Sequence, residues 1–423
     1  MRSENNSQDL HATEKGLVHV LGLGQSVQEI SAPRMELINS AELLVAGKRL
    51  HGAFPDYQGR RITLKAPLAQ VMDELEQVVV DHGPRVVVLV GGDPCYYGIG
   101  PLLVQRLGPE RVRLHPGTTT LQAAASLLGL AWQHVGVVSL HGRNGTTLLF
   151  AALARNRHVA VYTDDSNTPA AVATMVLERG GENFRMWVFE DLGTPEQRWG
   201  QFTLEQVLGQ EFSPLNLVLL ERTAEPELQI CLGMAEKDYC RENGLITKRT
   251  VRAAVIAALA LQPDNLLWDL GAGCGSVGLE AGLLLPQGGV TAVEREPRRV
   301  AMIRENIRRT NAFWLQVVQG RMPECLHGLP VPDRIFIGGG LSGGMSILEE
   351  ACMRLKPGGR LVASVVLLQS LERIRDHLEH MRWPLEILQI QASHAVPLAG
   401  GHRLQSQNPI FLVCTLKPED ATP

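Results

Sequence analysis

A chain of 423 residues exceeds what one ordinary hydrophobic core supports, so we expect two or three domains. Its 45% hydrophobic and 20% charged residues are typical of a globular protein in water, and a net charge of −4 with 5% aromatic residues argues against nucleic acid as a partner. Residues 1–15 are polar and no run approaches the roughly eighteen apolar residues of a membrane span. Seven cysteines are scattered without a C-x-x-C pair, so we expect a cytoplasmic protein with reduced thiols and no metal site.

The first apolar segments of the chain end in glycine. Residues 17–24 predict a short strand that ends in Gly-Leu-Gly, and residues 67–81 predict an amphipathic helix. Residues 85–90 then predict a buried strand that runs into Gly91, Gly92 and Asp93. A continuous apolar run followed by glycines is typical of a parallel sheet, whose ligands lie at the carboxyl ends of the strands. Asp93 is therefore predicted to lie at the mouth of a site.

Two further strand ends carry polar residues. Residues 112–117 predict a strand, and three threonines at 118–120 lead from it into a helix of small residues. The threonines could cap that helix or offer hydroxyl and N–H groups to a ligand, and the nearby Gly-Asp-Pro at 92–94 favours the ligand. Residues 137–143 predict another strand with a His-Gly-Arg end, where His141 is as compatible with a structural histidine as with a site.

Residues 266–278 are the most informative stretch of the chain. They predict a strand, a tight turn with glycines at every second position, and the start of a helix. We expect a ligand to lie against main-chain N–H groups of this turn, at the positive end of the helix. Gly273, Gly275 and Gly278 match the dinucleotide pattern G-x-G-x-x-G. Glu294 ends a second strand nineteen residues after Gly275, the spacing of an acid that binds both ribose hydroxyls, which leaves NAD and S-adenosylmethionine both open.

Downstream strands distinguish between these two cofactors. Residues 333–337 predict a fourth strand, and residues 355–362 predict a helix end, a Pro-Gly-Gly turn and a strand. With Asp269 two residues before the first glycine, this order resembles the class I S-adenosylmethionine-dependent methyltransferases.

The first half of the chain, residues 16–222, resembles the tetrapyrrole (corrin and porphyrin) methyltransferase family, and most closely its precorrin-6Y C5-methylating branch. The matching motifs are GLG at 22–24, GDP at 92–94, YGIG at 97–100, LLGLAW at 127–132, SLHGR at 139–143, TD at 163–164, TP at 168–169 and EDLG at 190–193. Their order and spacing agree with the family. The resemblance implies a fold of two α/β lobes that binds S-adenosylmethionine.

The second half resembles the decarboxylating C15-methyltransferases of the same pathway. The matching segments are residues 244–248, the glycine turn, and residues 336–340, 357–360 and 408–411. The whole chain thus resembles the fused, decarboxylating C5,15-methyltransferases of precorrin-6Y. The implied α/β fold is a two-lobed tetrapyrrole methylase fold followed by a class I Rossmann-like S-adenosylmethionine methyltransferase fold. We expect a disordered leader at 1–15, a C5-methyltransferase domain at 16–222, a linker at 223–230, and a C15-methyltransferase and decarboxylase domain at 231–423.

This resemblance implies methylation of a precorrin at C5 and C15 with decarboxylation of its C12 acetate, in cobalamin biosynthesis. It implies S-adenosylmethionine bound at two sites, one per domain, a small-molecule precorrin as substrate, and a homo-oligomer that binds neither nucleic acid nor a membrane. The catalytic candidates are Tyr97, His141 and Arg143. The implied cofactor-binding residues are Gly22, Gly24, Gly92, Asp93, Thr119 and Thr120 in the first domain, and Thr247, Asp269, Gly271, Ala272, Gly273, Cys274, Gly275, Glu294 and Met322 in the second.

Two other functions are weighed against this one. An NAD-dependent dehydrogenase is supported by the literal G-x-G-x-x-G but has no motif for a hydride-transfer partner. A non-catalytic tetrapyrrole-binding protein is favoured if residues 364–369, which replace polar groups of the family, have emptied the second site. Six arginines between Arg295 and Arg309 are predicted to form a mostly solvated helix face, balanced by Glu296 and Glu305 through i, i+4 pairs.

Overall fold

The computed structural model of the chain describes residues 16–65, 67–141, 145–242 and 244–419. Within these ranges strands and helices alternate, and three larger sheets form a mixed α/β fold, as predicted. The chain divides into two compact units, one running to Val135 and including Trp187–Gln201 and Glu211–Val218, and the other formed by Gly136–Met186, Phe202–Gln210 and the chain from Leu219 onward. The predicted leader lies outside the described residues, and the domain boundaries at 222 and 231 stay a prediction.

The first sheet is parallel and lies between two apolar layers. Its strands are β1 (Val18–Gly22), β2 (Leu43–Ala46), β3 (Arg60–Thr63), β4 (Val86–Val90) and β5 (Val112–His115). Its helices are α1 (Ala32–Ser40), α2 (Lys48–Gly52), α3 (Leu68–His82), α4 (Gly100–Leu107) and α5 (Thr120–Leu128). The strand order is β3-β2-β4-β1-β5. Val88 packs into one of these apolar layers and Leu89 packs into the other. Burial on both faces of the sheet explains why β4 is apolar at every position.

The next strands are β6 (Gly136–Ser139), β7 (His158–Tyr162), β8 (Phe184–Glu190), β9 (Arg198–Thr203) and β10 (Asn216–Arg222), in the sheet order β6-β7-β10-β8-β9. The helices are α6 (Thr147–Arg155), α7 (Pro169–Glu178) and α8 (Leu204–Leu208). The Thr168 hydroxyl accepts a hydrogen bond from the Ala171 N–H, and Pro169 occupies the first turn of α7. The Thr-Pro pair therefore starts this helix.

The third sheet carries the second half of the chain. Its strands are β11 (Leu266–Leu270), β12 (Gly289–Glu294), β13 (Leu315–Gln319), β14 (Arg334–Ile337), β15 (Arg360–Val365), β16 (Leu385–Ile390) and β19 (Ile410–Leu416), and β17 (Ser393–Leu398) with β18 (Gly401–Ser406) forms a separate hairpin. The helices are α9 (Arg249–Leu259), α10 (Ser276–Ala281), α11 (Pro297–Thr310), α12 (Ser346–Arg354) and α13 (Leu368–His380).

The order of this sheet is β13-β12-β11-β14-β15-β19-β16, with β19 antiparallel to both of its neighbours. The chain builds outward from β11 through β12 to β13 and then crosses to the other side of β11 to form β14 and β15. The carboxyl ends of β11 and β14 therefore flank a topological switch point, where open α/β sheets bind their ligands. No described helix is long and apolar enough to cross a membrane.

Candidate functional site

A cavity of about 930 Å³ lies at the switch point of the third sheet. Its wall contains the turn at 271–274, Glu294 at the end of β12, the glycines at 338–340 after β14, and Ser364 near the end of β15. Residues 244–248, which lead into α9, line it as well. This volume falls in the range of small-molecule and cofactor sites.

The N–H groups of the glycine turn are mostly used within the protein. Those of Gly271 and Ala272 donate to the Val293 carbonyl at 3.0 and 3.1 Å, and that of Gly275 donates to the Ala272 carbonyl at 2.8 Å. The Gly273 N–H donates to Oε2 of Glu294 at 2.9 Å. All four N–H groups therefore have partners within the protein, and the expectation that a ligand lies against this turn stays a prediction. A dinucleotide places its pyrophosphate on N–H groups of such a turn, and at these four positions the N–H group already has an acceptor.

Glu294 is held rigidly at the edge of the cavity and is 4% exposed. Its Oε2 accepts from Gly273, and its Oε1 accepts from the N–H groups of Arg295 and Glu296, both at 3.0 Å. A carboxylate offers about four lone-pair sites, so one on Oε2 stays available. The acid can thus accept one hydroxyl directly, where the sequence suggested that it would take both ribose hydroxyls.

Asp269 is buried directly behind the turn. Its Oδ2 accepts from the Gly278 N–H at 3.0 Å, while its Oδ1 has no hydrogen-bond partner among the described residues. Burial raises the pKa of Asp269 to about 7, the Gly278 hydrogen bond opposes this, and the charge of Glu294 adds to it. A cationic group nearby would favour its ionised form. Two acids beside a turn that offers few donors therefore fit the positively charged S-adenosylmethionine.

Sequence reasoning missed a buried ion pair that positions the wall of the cavity. Nε of Arg252 lies 2.7 Å from Oε1 of Glu280, and the two side chains are 0% and 1% exposed. Nη1 of Arg252 donates to the Thr247 carbonyl at 2.7 Å, which holds that residue beside the cavity. The sequence did contain a signal for this pair, because Glu280 is an acid within the apolar run from Val277 to Leu285.

Most of the predicted second-site residues meet at this cavity. Those in its wall are Thr247, Gly271, Ala272, Gly273, Cys274, Glu294 and Met322. Asp269 and Gly275 are not part of the described wall, and a Cβ at Gly275, where φ is +79°, would lie 3.0 Å from the Ile303 side chain. That these nine residues bind the cofactor stays a prediction.

Most arginines of the basic cluster are exposed, as predicted, but the pairing within the cluster differs from the prediction. Arg295 precedes α11 and lines the cavity with Arg299, whose Nε lies 3.0 Å from Oε2 of Glu242. Arg308 pairs with Glu305 at i, i+3 rather than i, i+4. Part of the cluster therefore faces the candidate site.

In the first half, the predicted glycines lie together at the carboxyl ends of β1 and β4. Gly24 and Gly92 form a bridge, with the Gly92 N–H donating to the Gly24 carbonyl at 3.0 Å. A Cβ at Gly22 would lie 2.5 Å from the Gly92 carbonyl oxygen, so only glycine permits this approach. Asp93 accepts from the N–H groups of Cys95 and Gly117 at 2.8 and 3.1 Å and so ties the β4 and β5 loops together.

The threonine segment in the first half starts a helix. The Thr119 hydroxyl accepts from the Gln122 N–H at 3.1 Å, and the Gln122 side chain accepts from the Thr119 N–H at 2.8 Å. This capping box supports the capping alternative, which the Thr-x-x-Gln spacing could have indicated. Ligand binding by Thr119 and Thr120 stays a prediction.

The three catalytic candidates stay untested. Tyr97 is 50% exposed, has a positive φ of 54°, and lies edge-on to the Tyr96 ring at 5.2 Å. His141 is exposed, with its Nδ1 3.3 Å from the Thr163 carbonyl oxygen. Arg143 lies outside the described residues.

Together, the switch point, the internally bonded glycine turn and the buried Glu294 define the second half as a class I methyltransferase. A family model for the precorrin methyltransferase domain matches residues 238–417, and one for tetrapyrrole (corrin/porphyrin) methylases matches residues 18–208. A precorrin-6Y C(5,15)-methyltransferase (decarboxylating) from a Sinorhizobium species is 35% identical over 386 residues, which cover 90% of this chain and 92% of that protein. The chain belongs to the family of decarboxylating precorrin-6Y C(5,15)-methyltransferases, and it is an S-adenosylmethionine-dependent enzyme.

Two shorter relatives each match less than half of the chain. A cobalt-precorrin-6B C(15)-methyltransferase (decarboxylating) from Salmonella typhimurium is 36% identical over 182 residues, covering 42% of this chain and 93% of that protein. A cobalt-precorrin-7 C(5)-methyltransferase from the same organism is 32% identical over 183 residues, covering 43% of this chain and 88% of that protein. The name of each shorter relative gives one methylation, at C15 or at C5, and the name of the Sinorhizobium protein gives both.

Proposed function

We propose that this chain transfers methyl groups from S-adenosylmethionine to C5 and C15 of a precorrin and removes carbon dioxide from the C12 acetate, as a step of cobalamin biosynthesis. One cofactor site serves each half of the chain, with C5 methylation in the first half and C15 methylation and decarboxylation in the second. The names of the full-length and shorter relatives support this division.

The observation that carries the proposal is the cavity at the switch point of the third sheet. Glu294 presents its remaining lone pair there, where a ribose hydroxyl would donate to it. The N–H groups of Gly271, Ala272 and Gly275 are engaged within the protein, which favours this cofactor over the dinucleotide of an NAD-dependent dehydrogenase. The volume of about 930 Å³ exceeds what a small cofactor alone requires and leaves room for part of a macrocycle.

Bound S-adenosylmethionine would supply a methyl group on a sulfonium, and the residues of the chain would mainly orient the reactants. In-line transfer to a nucleophilic ring carbon needs near-attack distance and little acid–base chemistry. Glu294 would fix the ribose, while Met322, Ile347 and Val366 supply apolar wall. The reduced ring can accept the electron pair left by carbon dioxide, so decarboxylation requires no further cofactor.

Calorimetric titration and product mass test this proposal. We expect two moles of S-adenosylmethionine or its homocysteine product to bind per mole of chain at micromolar affinity, with no heat from NAD. Incubation with precorrin-6B and S-adenosylmethionine should give a product with two added methyl groups and one carbon dioxide fewer. Tight NAD binding would instead indicate a dehydrogenase, and macrocycle binding without a mass change would indicate a carrier.

We further propose that the enzyme is cytoplasmic and forms a homo-oligomer. All seven cysteines are free in the structure, as expected for a protein in a reducing compartment. Light scattering of the purified chain tests the second point, and a monomeric mass would contradict it.

A further inference from the structure

A smaller, basic cavity shares two residues of its wall with the candidate cofactor site. It has a volume of about 320 Å³, and Lys248 and Gln407 line both cavities. Arg241, Arg249 and His394 also line it. We call this smaller cavity the annex. Its cations come from the segment before α9, the start of α9 and strand β17, so only the folded chain brings them together.

The cationic side chains of the annex are largely uncommitted. Among the described residues, the side chains of Lys248 and Arg249 form neither an ion pair nor a hydrogen bond. Arg241 donates its Nε to the Glu236 carbonyl at 2.8 Å, which orients the guanidinium and leaves its terminal nitrogens as donors.

Among the described residues, Glu236 is the acid in the wall of the annex, and it accepts a hydrogen bond from the backbone. Oε1 of Glu236 accepts from the Arg249 N–H at 2.8 Å at the first residue of α9. Because Arg241, Lys248 and Arg249 outnumber this one acid, the side chains of the annex carry a net positive charge, and the positive end of α9 adds to it. Such a cavity suits an anion with several acceptor oxygens, and above all a carboxylate.

The chemistry of decarboxylation decides which carboxylate the annex can hold. When a carboxylate leaves as neutral carbon dioxide, its negative charge moves into the ring. Ion pairs with cations would then stabilise the starting carboxylate more than the transition state and slow the reaction. A cationic subsite is therefore suited to side chains that do not react.

We propose that the annex binds a non-reacting carboxylate side chain of the macrocycle and so determines which ring carbon faces the cofactor in the adjoining cavity. This proposal rests on the proposed function, since it takes the tetrapyrrole as the substrate of the second half. Lys248, in the wall of both cavities, would contact the bound macrocycle on the side nearest the cofactor. Arg249, which lines the annex but not the larger cavity, would bind the same carboxylate.

Lys248→Gln and Arg249→Gln, made separately, test this role with the full-length enzyme at saturating S-adenosylmethionine. Loss of one charged hydrogen bond should raise the KM for the macrocycle in C15 methylation about tenfold while changing kcat less than about twofold. Cofactor affinity and the ratio of decarboxylation to C15 methylation should stay unchanged. Lys248→Arg should retain most of the affinity. Arg304→Gln on the exposed face of α11, outside both cavities, is the matched control and should have no effect.

A substrate with methyl-esterified side chains provides the second readout. Wild type and both glutamine variants should bind it with the same affinity, because esters no longer attract the cations. The annex proposal is overturned if the glutamine variants are active and have the wild-type KM for the native substrate. It is also overturned if these variants change the ratio of decarboxylation to C15 methylation. If the wild type transfers no methyl group to C15, the proposed function fails and the annex proposal fails with it.

Discussion

The buried ion pair between Arg252 and Glu280 predicts a large effect of a single substitution. Arg252→Met removes a cation that is 0% exposed and leaves the carboxylate of Glu280 without a counter-ion. Breaking a buried pair from one side costs about 3–5 kcal/mol. Glu280 would still accept from Gly233, Met234 and the Tyr239 hydroxyl. Because these charge-assisted hydrogen bonds still stabilise the carboxylate, we expect a loss of unfolding free energy near the lower end of that range, at about 3 kcal/mol.

The same substitution should weaken cofactor binding in the second half. Arg252 also donates to the carbonyls of Thr247 and Met234, so its loss frees the segment that lines the cavity. Guanidinium denaturation should show the lower stability, and only in the transition of the unit that contains the chain from Leu219 onward, because chains with several domains unfold in separate steps. Arg308→Gln is the matched control, since its ion pairs are half exposed and should contribute less than about 1 kcal/mol.

A double substitution provides a further test of this pair. Arg252→Met with Glu280→Gln removes both charges, so it should cost less than the sum of the two single substitutions. The reasoning is refuted if Arg252→Met unfolds within about 1 kcal/mol of the wild type, or if the two effects are additive.

Three other changes address the two sites. Glu294→Gln should weaken cofactor binding in the second half by about 1–3 kcal/mol, and an unchanged calorimetric affinity would show that the acid does not contact the ribose. Because burial raises the pKa of Asp269 from 3.8 to about 7, the folded state retains that proton longer than the unfolded chain. Stability should therefore fall as pH rises from about 4 to 7 and then stay level, and Asp269→Asn should remove this dependence in thermal melts; an identical pH profile would contradict this. Asp93→Ala frees the N–H groups of Cys95 and Gly117 and should abolish C5 methylation alone, so mass spectrometry should find a singly methylated, decarboxylated product, whereas loss of both methylations would show that the sites are coupled.

The sequence by itself determined the elements around the second site. The strand at 266–270, the turn after it and the acid at 294 follow from local properties, namely apolar runs, glycines and a fixed spacing along the chain. The same holds for the helix that starts after Thr119, because both hydrogen bonds of its capping box join residues three apart.

Tertiary structure decided how these elements are used. The N–H groups of Gly271 and Ala272 reach the Val293 carbonyl only because β11 and β12 lie side by side. Arg252 and Glu280 form an ion pair although they are 28 residues apart in the sequence. Arg241 and His394 of β17, which are also distant in the sequence, both line the annex. A local pattern reports which conformation a segment prefers, but hydrogen bonds, ion pairs and cavity walls between distant segments depend on how the whole chain packs. The glycine turn was therefore recognisable in the sequence, while the engagement of four of its N–H groups by the protein was visible only in the fold.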